Sequence, residues 1–498
     1  MEKVDVLLIN PGNRDRIFQG LNTAEFTSVE PPVFAGLFAT YLRNKGVSVE
    51  IYDASALGVS IKETAHVATK VFDPTLIVLV MYGAQPSAST QHMTAAGEIA
   101  NAIKESRNVP ILMTGGHPAA LPRRTMEGEN IDFVCDLEGP ITIWKTLQAL
   151  KVGVDDFSNI PSLWWFDKKA NQIRQPVAAE PLIVDLDGAM PGIAWDLLPM
   201  RHYRSHNWHS FDHIDQRSPY ASIHTSLGCT FRCSFCMINS PYGKPAYRMW
   251  NPETVMKEID LLSEKYGVVN LKFVDEMFVL NKSHVLELCG LLAKHPHKVN
   301  IWAYARVDTV QDQFLDALKA AGVNWLCLGI ESASDFVRDG ALKKYSNEDI
   351  IDVVKRIRAA GIYVIGNYIF GLPDDTRERM QSTLDLALEL NCEFANFYSA
   401  MAYPGSALYT QAVASGKKLP EKWEDYSQHG YGTYPLANAF CSSAEILELR
   451  DRAFMTYFTN PSYLNMIEQK FGQKVVDHIG RMVAVPLRRK LLETVGLQ

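Results

Sequence analysis

The sequence has little excess charge of either sign and no long apolar run, and each absence excludes a class of function. With 49 Lys and Arg against 56 Asp and Glu, the net charge is −7, so the chain offers no general field for nucleic acid. The amino-terminal apolar run stops at Pro11-Gly12, and no stretch reaches the ~18 apolar residues of a membrane span. We therefore expect a cytoplasmic protein with no membrane span.

Cysteine is also scarce, with eight residues at irregular positions among 498. A cytosolic compartment keeps such thiols reduced, which argues against a disulfide framework. Clustered thiols are then candidate metal ligands. No repeat of fixed period and no low-complexity tract occurs, and the length predicts several domains.

Residues 1–150 alternate short apolar runs with amphipathic segments, which predicts a parallel α/β sheet covered on both faces. The predicted helices are 32–45, 61–71, 90–105 and 139–150. The predicted strands are 4–10, 47–53, 75–81, 109–116 and 131–135.

Ligands of such sheets bind at the carboxyl ends of the strands, where this sequence has loops of small and turn-forming residues. A planar or phosphate-bearing ligand would fit there, and the alternative is that these loops are only good turns. The candidate contacts are Asn10, Gly12, Tyr82, Gln85, Ser87, Gly115, Gly116, His117, Glu138 and Gly139.

Residues 151–218 lose the alternation and are rich in proline, which predicts a structured connection between domains. His202, His206, His209 and His213 would share one face if this stretch were helical. No carboxylate or thiol spacing supports a metal site there, so a polar surface that faces the substrate or contacts another domain is the preferred interpretation.

From 219 to 404 the alternation resumes, and six strand-helix units predict most of a parallel barrel whose chemistry lies at the carboxyl ends of its strands. The predicted strands are 221–226, 269–275, 300–305, 325–331, 363–371 and 394–400, and the predicted helices are 252–265, 282–294, 311–321, 347–360 and 376–390.

The apolar pattern of residues 405–498 predicts a small, mostly helical region with helices at 443–458, 461–470 and 473–493. We expect this region to cover the open side of the barrel. Its basic end, with Arg481 and 488–490, is interpreted as a solvated helix face rather than a membrane anchor.

The strongest motif is GCTFRCSFC, which places Cys229, Cys233 and Cys236 just after the first barrel strand. Three thiolates can ligate three irons of a cubane cluster, and the missing fourth leaves one iron open to an external ligand. Zinc would normally require a fourth Cys or His, and an electron-transfer cluster normally uses four cysteines. The pattern therefore favours a catalytic 4Fe-4S cluster.

With Phe235 before its last cysteine, this motif resembles the radical S-adenosylmethionine superfamily, and the later strand ends LKFVDEMF, AYARVD, LGIES and NYIFGLPDDT strengthen the resemblance. The resemblance implies a partial (β/α)6 radical SAM barrel that binds S-adenosylmethionine (SAM). The implied SAM-binding residues are Phe235, Asp275, Glu276, Arg306, Glu331 and Ser332. Taken singly, Arg306 or Glu331 could equally form a buried ion pair.

The amino-terminal half resembles the Rossmann-like cobalamin-binding domain found ahead of the barrel in one branch of that superfamily. The stretches PPVFAGLFATYLRNKGVSVEIYDA, ILMTGGHPAALP and DFVCDLEGPIT match it in order and spacing. Other cobalamin proteins carry a DxHxxG whose His ligates cobalt, whereas NPGNRDRIFQG contains no His. The loop contacts given above then become candidate cobalamin contacts. The rival interpretation is a sheet that has kept the fold and lost the cofactor.

The resemblance implies a C-methyltransferase that uses a 5′-deoxyadenosyl radical and methylcobalamin on an unactivated carbon of a small molecule. One alternative is rearrangement, cyclisation or epimerisation without methyl transfer, and another is a non-catalytic iron-sulfur and corrinoid binding module. Methylthiolation is disfavoured because the first domain holds only Cys135 and cannot build a second cluster.

The expected partners are a small-molecule substrate, such as a sugar or a natural-product intermediate, and an electron donor such as flavodoxin or ferredoxin. Tyr304 and Tyr368, at strand ends, are candidate substrate contacts, although packing is the preferred role for each.

Overall fold

The amino-terminal part of the protein contains a seven-stranded sheet. The structure is a computed structural model that describes residues 1–12, 14–19, 25–83, 85 and 87–496. The strand order is β2-β1-β3-β4-β5-β6-β7, with the first five strands parallel and the last two antiparallel. The predicted loops that contain Asn13, Ala84 and Pro86 lie partly outside the described residues. The strands are β1 (Glu2–Asn10), β2 (Val49–Asp53), β3 (Phe72–Met81), β4 (Ile111–Gly115), β5 (Phe133–Cys135), β6 (Leu163–Asp167) and β7 (Gln172–Arg174).

Both faces of this sheet are buried, because alternate residues of each central strand enter different apolar clusters. Leu7, Ile77 and Met113 belong to one cluster, whereas Leu8 and Val78 belong to the other, which continues into the barrel. The helices are α1 (Arg14–Phe18), α2 (Val33–Asn44), α3 (Ala54–Leu57), α4 (Ile61–His66), α5 (Ala88–Gln91), α6 (Met93–Ser106), α7 (Gly116–Ala120), α8 (Pro122–Gly128) and α9 (Pro140–Lys151).

The stretch 151–218, predicted as a connection, also contributes the β6–β7 hairpin to the first sheet and a short helix, α10 (Leu186–Ala189). Its four histidines do not share one helical face, since His209 is buried and His202 and His213 are exposed. Among the described residues, no group of three or more His, Cys, Asp or Glu side chains is arranged to hold a single metal ion.

The six predicted barrel strands form one parallel sheet in the order β15-β14-β13-β12-β11-β8, so the barrel is open between its first and last strands. A short antiparallel ribbon of β9 and β10 follows the first strand. The strands are β8 (Tyr220–Ile223), β9 (Ser226–Leu227), β10 (Arg248–Met249), β11 (Asn270–Phe273), β12 (Asn300–Arg306), β13 (Val323–Glu331), β14 (Tyr363–Phe370) and β15 (Phe394–Ser399).

Helices cover the outside of the barrel, and their starts follow ordinary capping chemistry. For example, Ser346 and Asp349 form a reciprocal capping box at the start of α15. The helices are α11 (Pro252–Tyr266), α12 (Lys282–Lys294), α13 (Asp312–Ala320), α14 (Asp335–Gly340), α15 (Asn347–Ala359), α16 (Arg377–Leu390) and α17 (Ala407–Ala414).

The carboxyl-terminal region consists of α18 (Ser443–Phe458), α19 (Pro461–Phe471), α20 (Gln473–Val483) and α21 (Lys490–Val495). The predicted helix 473–493 is wrong as a single element, because the chain leaves the helix before Pro486 and resumes it after Arg489. No helix in the described part of the chain has the length and apolarity that a membrane crossing requires.

The interpretation of the basic end as a solvated face is wrong for Arg489. Its side chain is fully buried and donates to both oxygens of Asp451 and to the carbonyl oxygens of Gln428 and Gly430. Arg489 therefore fixes the end of the chain against the loop that precedes α18.

Replacing Arg489 by Gln should destabilise the fold by about 2–5 kcal/mol, because it takes the guanidinium donors from the buried carbonyl oxygens of Gln428 and Gly430, at about 1–3 kcal/mol for each group left unsatisfied. The neighbouring Arg488, which is exposed, provides the matched variant Arg488→Gln, for which we expect no measurable change. Differential scanning calorimetry of both variants checks this. Equal melting temperatures for the two variants would contradict the assigned role of Arg489.

Candidate functional site

Two adjoining cavities lie where the carboxyl edge of the first sheet faces the carboxyl ends of the barrel strands. The first cavity, of about 350 Å³, is bounded by Tyr82 and Gly116 from the first sheet and by the cysteine loop of the barrel. The second cavity, of about 400 Å³, extends from Asn10 into the open side of the barrel. Six residues line both cavities: Gly83, Gln85, Tyr304, Cys327, Tyr398 and Gln428.

Cys229, Cys233 and Cys236 all line the first cavity. The loop leaves β9 at Gly228, whose φ of +87° and closeness to the carbonyl oxygen of Ala246 leave no room for a Cβ atom. Burial raises the pKa of Cys229 to about 11 and that of Cys236 to about 12, so both thiols are protonated until a metal displaces the proton. Three thiols facing one cavity fit the ligand set of a 4Fe-4S cluster with an open iron.

Arg306 reaches the cysteine loop from the end of β12. Its Nη1 lies 3.3 Å from the Cys233 sulfur, and its guanidinium lies 3.8 Å from the centre of the Phe231 ring. Asp308 accepts hydrogen bonds from its Nε and Nη2 at 2.8 and 2.9 Å. The side chain thus presents a fixed positive charge to a cluster ligand as well as to the cavity.

The neighbouring carboxylates Asp275 and Glu276 have different surroundings. Asp275 accepts hydrogen bonds of 2.6 Å from the Thr225 amide, the Thr225 hydroxyl and the Ser226 hydroxyl, and it does not line either cavity. Glu276 lines the first cavity and accepts a 3.1 Å bond from the Gly228 amide. Burial, together with the nearby Asp275, raises the pKa of Glu276 to about 8.

The end of β13 brings Glu331 to the opposite wall, with a backbone φ of +67°. Its carboxylate pairs with Lys343, which also donates to the Gly329 carbonyl oxygen at 3.1 Å, and both side chains line the first cavity. Ser332 instead points away, with its hydroxyl 3.3 Å from that of Thr383. The sequence reasoning missed Lys343, because no motif links it to Glu331.

The cavity wall formed by the first sheet contains half of the candidate cobalamin contacts. Tyr82, Gln85, Ser87 and Gly116 line the first cavity, and Gln85 and Asn10 line the second. The other candidate contacts lie behind this wall and line neither cavity: Gly12, Gly115, His117, Glu138 and Gly139.

The residues behind the wall position it. Glu138 forms a buried ion pair with Arg248, and its carbonyl oxygen accepts a 2.8 Å bond from the Tyr82 hydroxyl. The ring of His117 contacts the hydroxyl of Thr90 at 3.2 Å. A Cβ atom at Gly115 would collide with the backbone of Met81.

Two buried imidazole nitrogens mark polar positions that the protein itself does not fill. Nε2 of His224, in the first cavity, and Nδ1 of His92, in the second, have no hydrogen-bond partner among the described residues. Burial lowers the pKa of His224 to about 3 and that of His92 to about 4, so both rings are neutral. Neutral rings with unused nitrogens fit a large ligand with many amide groups, as cobalamin is.

The two tyrosines predicted as substrate contacts are placed differently. Tyr304 lines both cavities, close to the boundary between them. Tyr368 lines neither cavity, since it is fully buried and stacks on Phe397 with ring centres 5.4 Å apart.

The raised pKa of Glu276 predicts how stability of the cofactor-free protein depends on pH. Between pH 4.5 and 8, folded Glu276 keeps a proton that the unfolded chain has released, so its contribution falls as the pH rises. Glu276→Gln should therefore raise the melting temperature relative to the unchanged protein by a few degrees at pH 8.5 and by less at pH 5.5. Thermal unfolding at both pH values measures the difference. An exposed residue of α11 gives the control Glu264→Gln, and an equal shift at both pH values would contradict the prediction.

Comparison with known proteins matches both halves of the chain. A sequence model of the radical SAM superfamily matches residues 223–387, and a model of the B12 binding domain matches residues 21–143. The first implies a 4Fe-4S cluster and SAM, and the second implies cobalamin.

Two relatives match this chain over most of their own length. An uncharacterized methyltransferase of Pyrococcus horikoshii is 28% identical over 467 residues, which cover 93% of this chain and 94% of the relative. An anaerobic magnesium-protoporphyrin IX monomethyl ester cyclase of Rubrivivax gelatinosus is 24% identical over 450 residues, which cover 89% and 76%.

A solved structure shares the fold. The radical SAM methyltransferase TsrM from Kitasatospora setae, with tryptophan substrate and a SAM analogue bound, has a TM-score of 0.66 at 18% identity, covering 93% of this chain and 90% of TsrM. The two family matches therefore identify a B12 binding domain followed by a radical SAM superfamily domain in this chain.

Proposed function

We propose that this enzyme is a C-methyltransferase that acts on an unactivated carbon of a small molecule. The observation that carries the proposal is that the cysteine loop of the barrel and the ligand loops of the first sheet open onto the same cavity. When bound, the cluster, SAM and cobalamin supply the radical and methyl-transfer chemistry. Relatives named as methyltransferases and the tryptophan substrate of TsrM support this assignment.

The chain's own residues hold and orient these groups. Cys229, Cys233 and Cys236 would bind three irons of the cluster. The carboxylates of Glu276 and Glu331 offer acceptors for the ammonium and the ribose hydroxyls of SAM, and Arg306 offers a cation for its carboxylate. Phe235 lines the same cavity.

Asp275 and Ser332 take a supporting part in this proposal. Asp275 is bonded to Thr225 and Ser226, at the entrance to the cysteine loop, and Ser332 follows Glu331. Both act on SAM through the neighbours that they position.

On the side of the first sheet, Asn10, Tyr82, Gln85, Ser87 and Gly116 would contact cobalamin. Gly12, Gly115, His117, Glu138 and Gly139 would position these contacts from behind. We further propose the domain boundaries 1–150, 151–218, 219–404 and 405–498, with the β6–β7 hairpin added to the first domain.

A reduced cytoplasmic setting and a one-electron donor such as flavodoxin or ferredoxin belong to this proposal. All eight cysteines are free, which suits a compartment that keeps thiols reduced. A cluster that must deliver single electrons requires such a donor.

Loss of one cluster ligand should abolish the chemistry. We expect anaerobically reconstituted protein to bind about four irons per chain, and Cys236→Ala to lose the cluster absorption and at least ~100-fold of SAM cleavage. Cys289, buried in α12 and outside both cavities, gives the matched control Cys289→Ala. Iron counting and chromatography of 5′-deoxyadenosine measure both quantities. Full cluster assembly in Cys236→Ala would overturn the ligand assignment.

The product mass tests methyl transfer itself. Incubation with SAM, reductant and candidate metabolites should give 5′-deoxyadenosine and a product heavier by one CH₂ unit. The cyclase relative favours ring closure as a second candidate, for which the product mass falls with loss of hydrogen or stays the same. A protein that binds both cofactors but forms no 5′-deoxyadenosine would instead be a binding module.

A further inference from the structure

The second cavity contains a buried arginine that the proposed cofactor contacts do not use. Arg450 lies on α18, is only 2% exposed and lines the cavity. Its Nε donates to the carbonyl oxygen of Phe397 at 2.7 Å, and its Nη1 donates to Asp451 at 2.7 Å. Among the described residues, Nη2 has no hydrogen-bond partner, so one edge of the guanidinium is available to the cavity.

Arg450 shares its carboxylate partner with a second arginine. Asp451 accepts bonds from Arg450 and also from Arg489, so two guanidinium groups share one carboxylate. Burial acts to raise the pKa of Asp451, but the two arginines hold it below its ordinary value, so this carboxylate is ionised. Arg450 therefore does not have this carboxylate to itself.

Three other titratable groups near Arg450 or in its cavity, His429, Tyr398 and Glu30, do not give it a carboxylate of its own. Burial and the two arginines lower the pKa of His429 to about 3, so its ring is neutral. Burial raises the pKa of Tyr398, so its phenol stays protonated. The Glu30 carboxylate, also in this cavity, lies 3.7 Å from Lys272 and accepts a bond from Tyr220. A buried guanidinium with a shared carboxylate and an unused Nη2 is stabilised further when a ligand supplies an anionic group.

One side of the second cavity is aromatic. Trp302 and Trp208 lie with their ring centres 5.0 Å apart, and Phe394, Phe397 and Phe454 complete this side. A flat aromatic side beside the guanidinium of Arg450 suits a molecule that has an apolar body and an anionic group. The other cation of the cavity, Lys272, lies 3.7 Å from the Glu30 carboxylate. Tyr304 and Tyr398 lie at the boundary with the first cavity, so such a molecule would extend toward it.

We propose that the substrate binds in the part of the second cavity lined by Arg450 and the aromatic residues of the barrel, and that Arg450 binds a carboxylate or phosphate group of the substrate. Asn10 and His92, which line the same cavity from the first domain, remain on the cobalamin side. That the bound anion is a substrate rests on the proposed function. The inference narrows this substrate to an anionic small molecule with an apolar or aromatic body. The binding of the anion itself needs no turnover.

The test compares phenylacetate with phenylacetamide, which has the same shape and no charge, by calorimetry on cobalamin-loaded, cluster-reconstituted protein. We expect phenylacetate to bind at least about tenfold more tightly, as a charge-assisted hydrogen bond allows. Arg450→Gln should bring this ratio close to one, and Arg450→Lys should keep part of it. Arg452, exposed on the same helix, gives the control Arg452→Gln, which should keep the full ratio.

A ratio near one in the unchanged protein, or a ratio that survives Arg450→Gln, would overturn the proposal. The phosphodiester of cobalamin is a second source of an anion, and cobinamide, which lacks it, separates the two. If Arg450→Gln weakens binding of cobalamin about tenfold but not that of cobinamide, the arginine serves the corrinoid and the substrate assignment fails. Anion preference without any CH₂ gain in a product would instead contradict methyl transfer and leave this proposal standing.

Discussion

The buried ion pair between Glu138 and Arg248 fixes the two halves of the site to each other. Glu138 follows the last parallel strand of the first sheet, and Arg248 belongs to the ribbon strand that pairs with Ser226–Leu227, immediately before the cysteine loop. Both side chains are largely removed from solvent, so neither can lose its partner without leaving a buried charge. The cluster loop and the wall of the first sheet are therefore held as one unit, and every proposed cofactor contact depends on that alignment.

Local patterns were enough to predict the parallel strands of both sheets and the cluster, but not the antiparallel β6–β7 hairpin or the β9–β10 ribbon. The runs around Leu7 and Ile77 are apolar on both faces because helices cover both sides of the sheet, and the six barrel strands repeat that logic. The three cysteines lie within eight residues, so their chemistry needs no knowledge of tertiary structure. Their loop is positioned by Gly228 and by the two-residue ribbon of β9 and β10, so few residues are needed to place it.

Contacts between distant segments could not be predicted in this way. Lys343 approaches Glu331 because a tight turn after α14 brings the chain back to the end of β13. Arg489 is buried because the chain leaves its helix before Pro486. Adjacent residues also diverge, since Asp275 faces inward to Thr225 whereas Glu276 faces the cavity. A strand end turns successive side chains in opposite directions, so a motif names the pair without deciding which member meets the ligand.

The two cavities differ in the charged side chains that the protein supplies to them, and this difference bears on the ligands that each can bind. Near the cysteines the protein supplies two carboxylates of different surroundings, one paired with Lys343 and one, Glu276, that is protonated until a cation arrives. In the second cavity the buried Arg450 is held in place by a carboxylate that another arginine also uses. A zwitterionic, sulfonium-bearing ligand suits the first arrangement and an anion suits the second. Because Tyr304 and Tyr398 line both cavities and belong to β12 and β15, the two molecules would meet at the carboxyl ends of the barrel strands, where the chemistry of such barrels takes place.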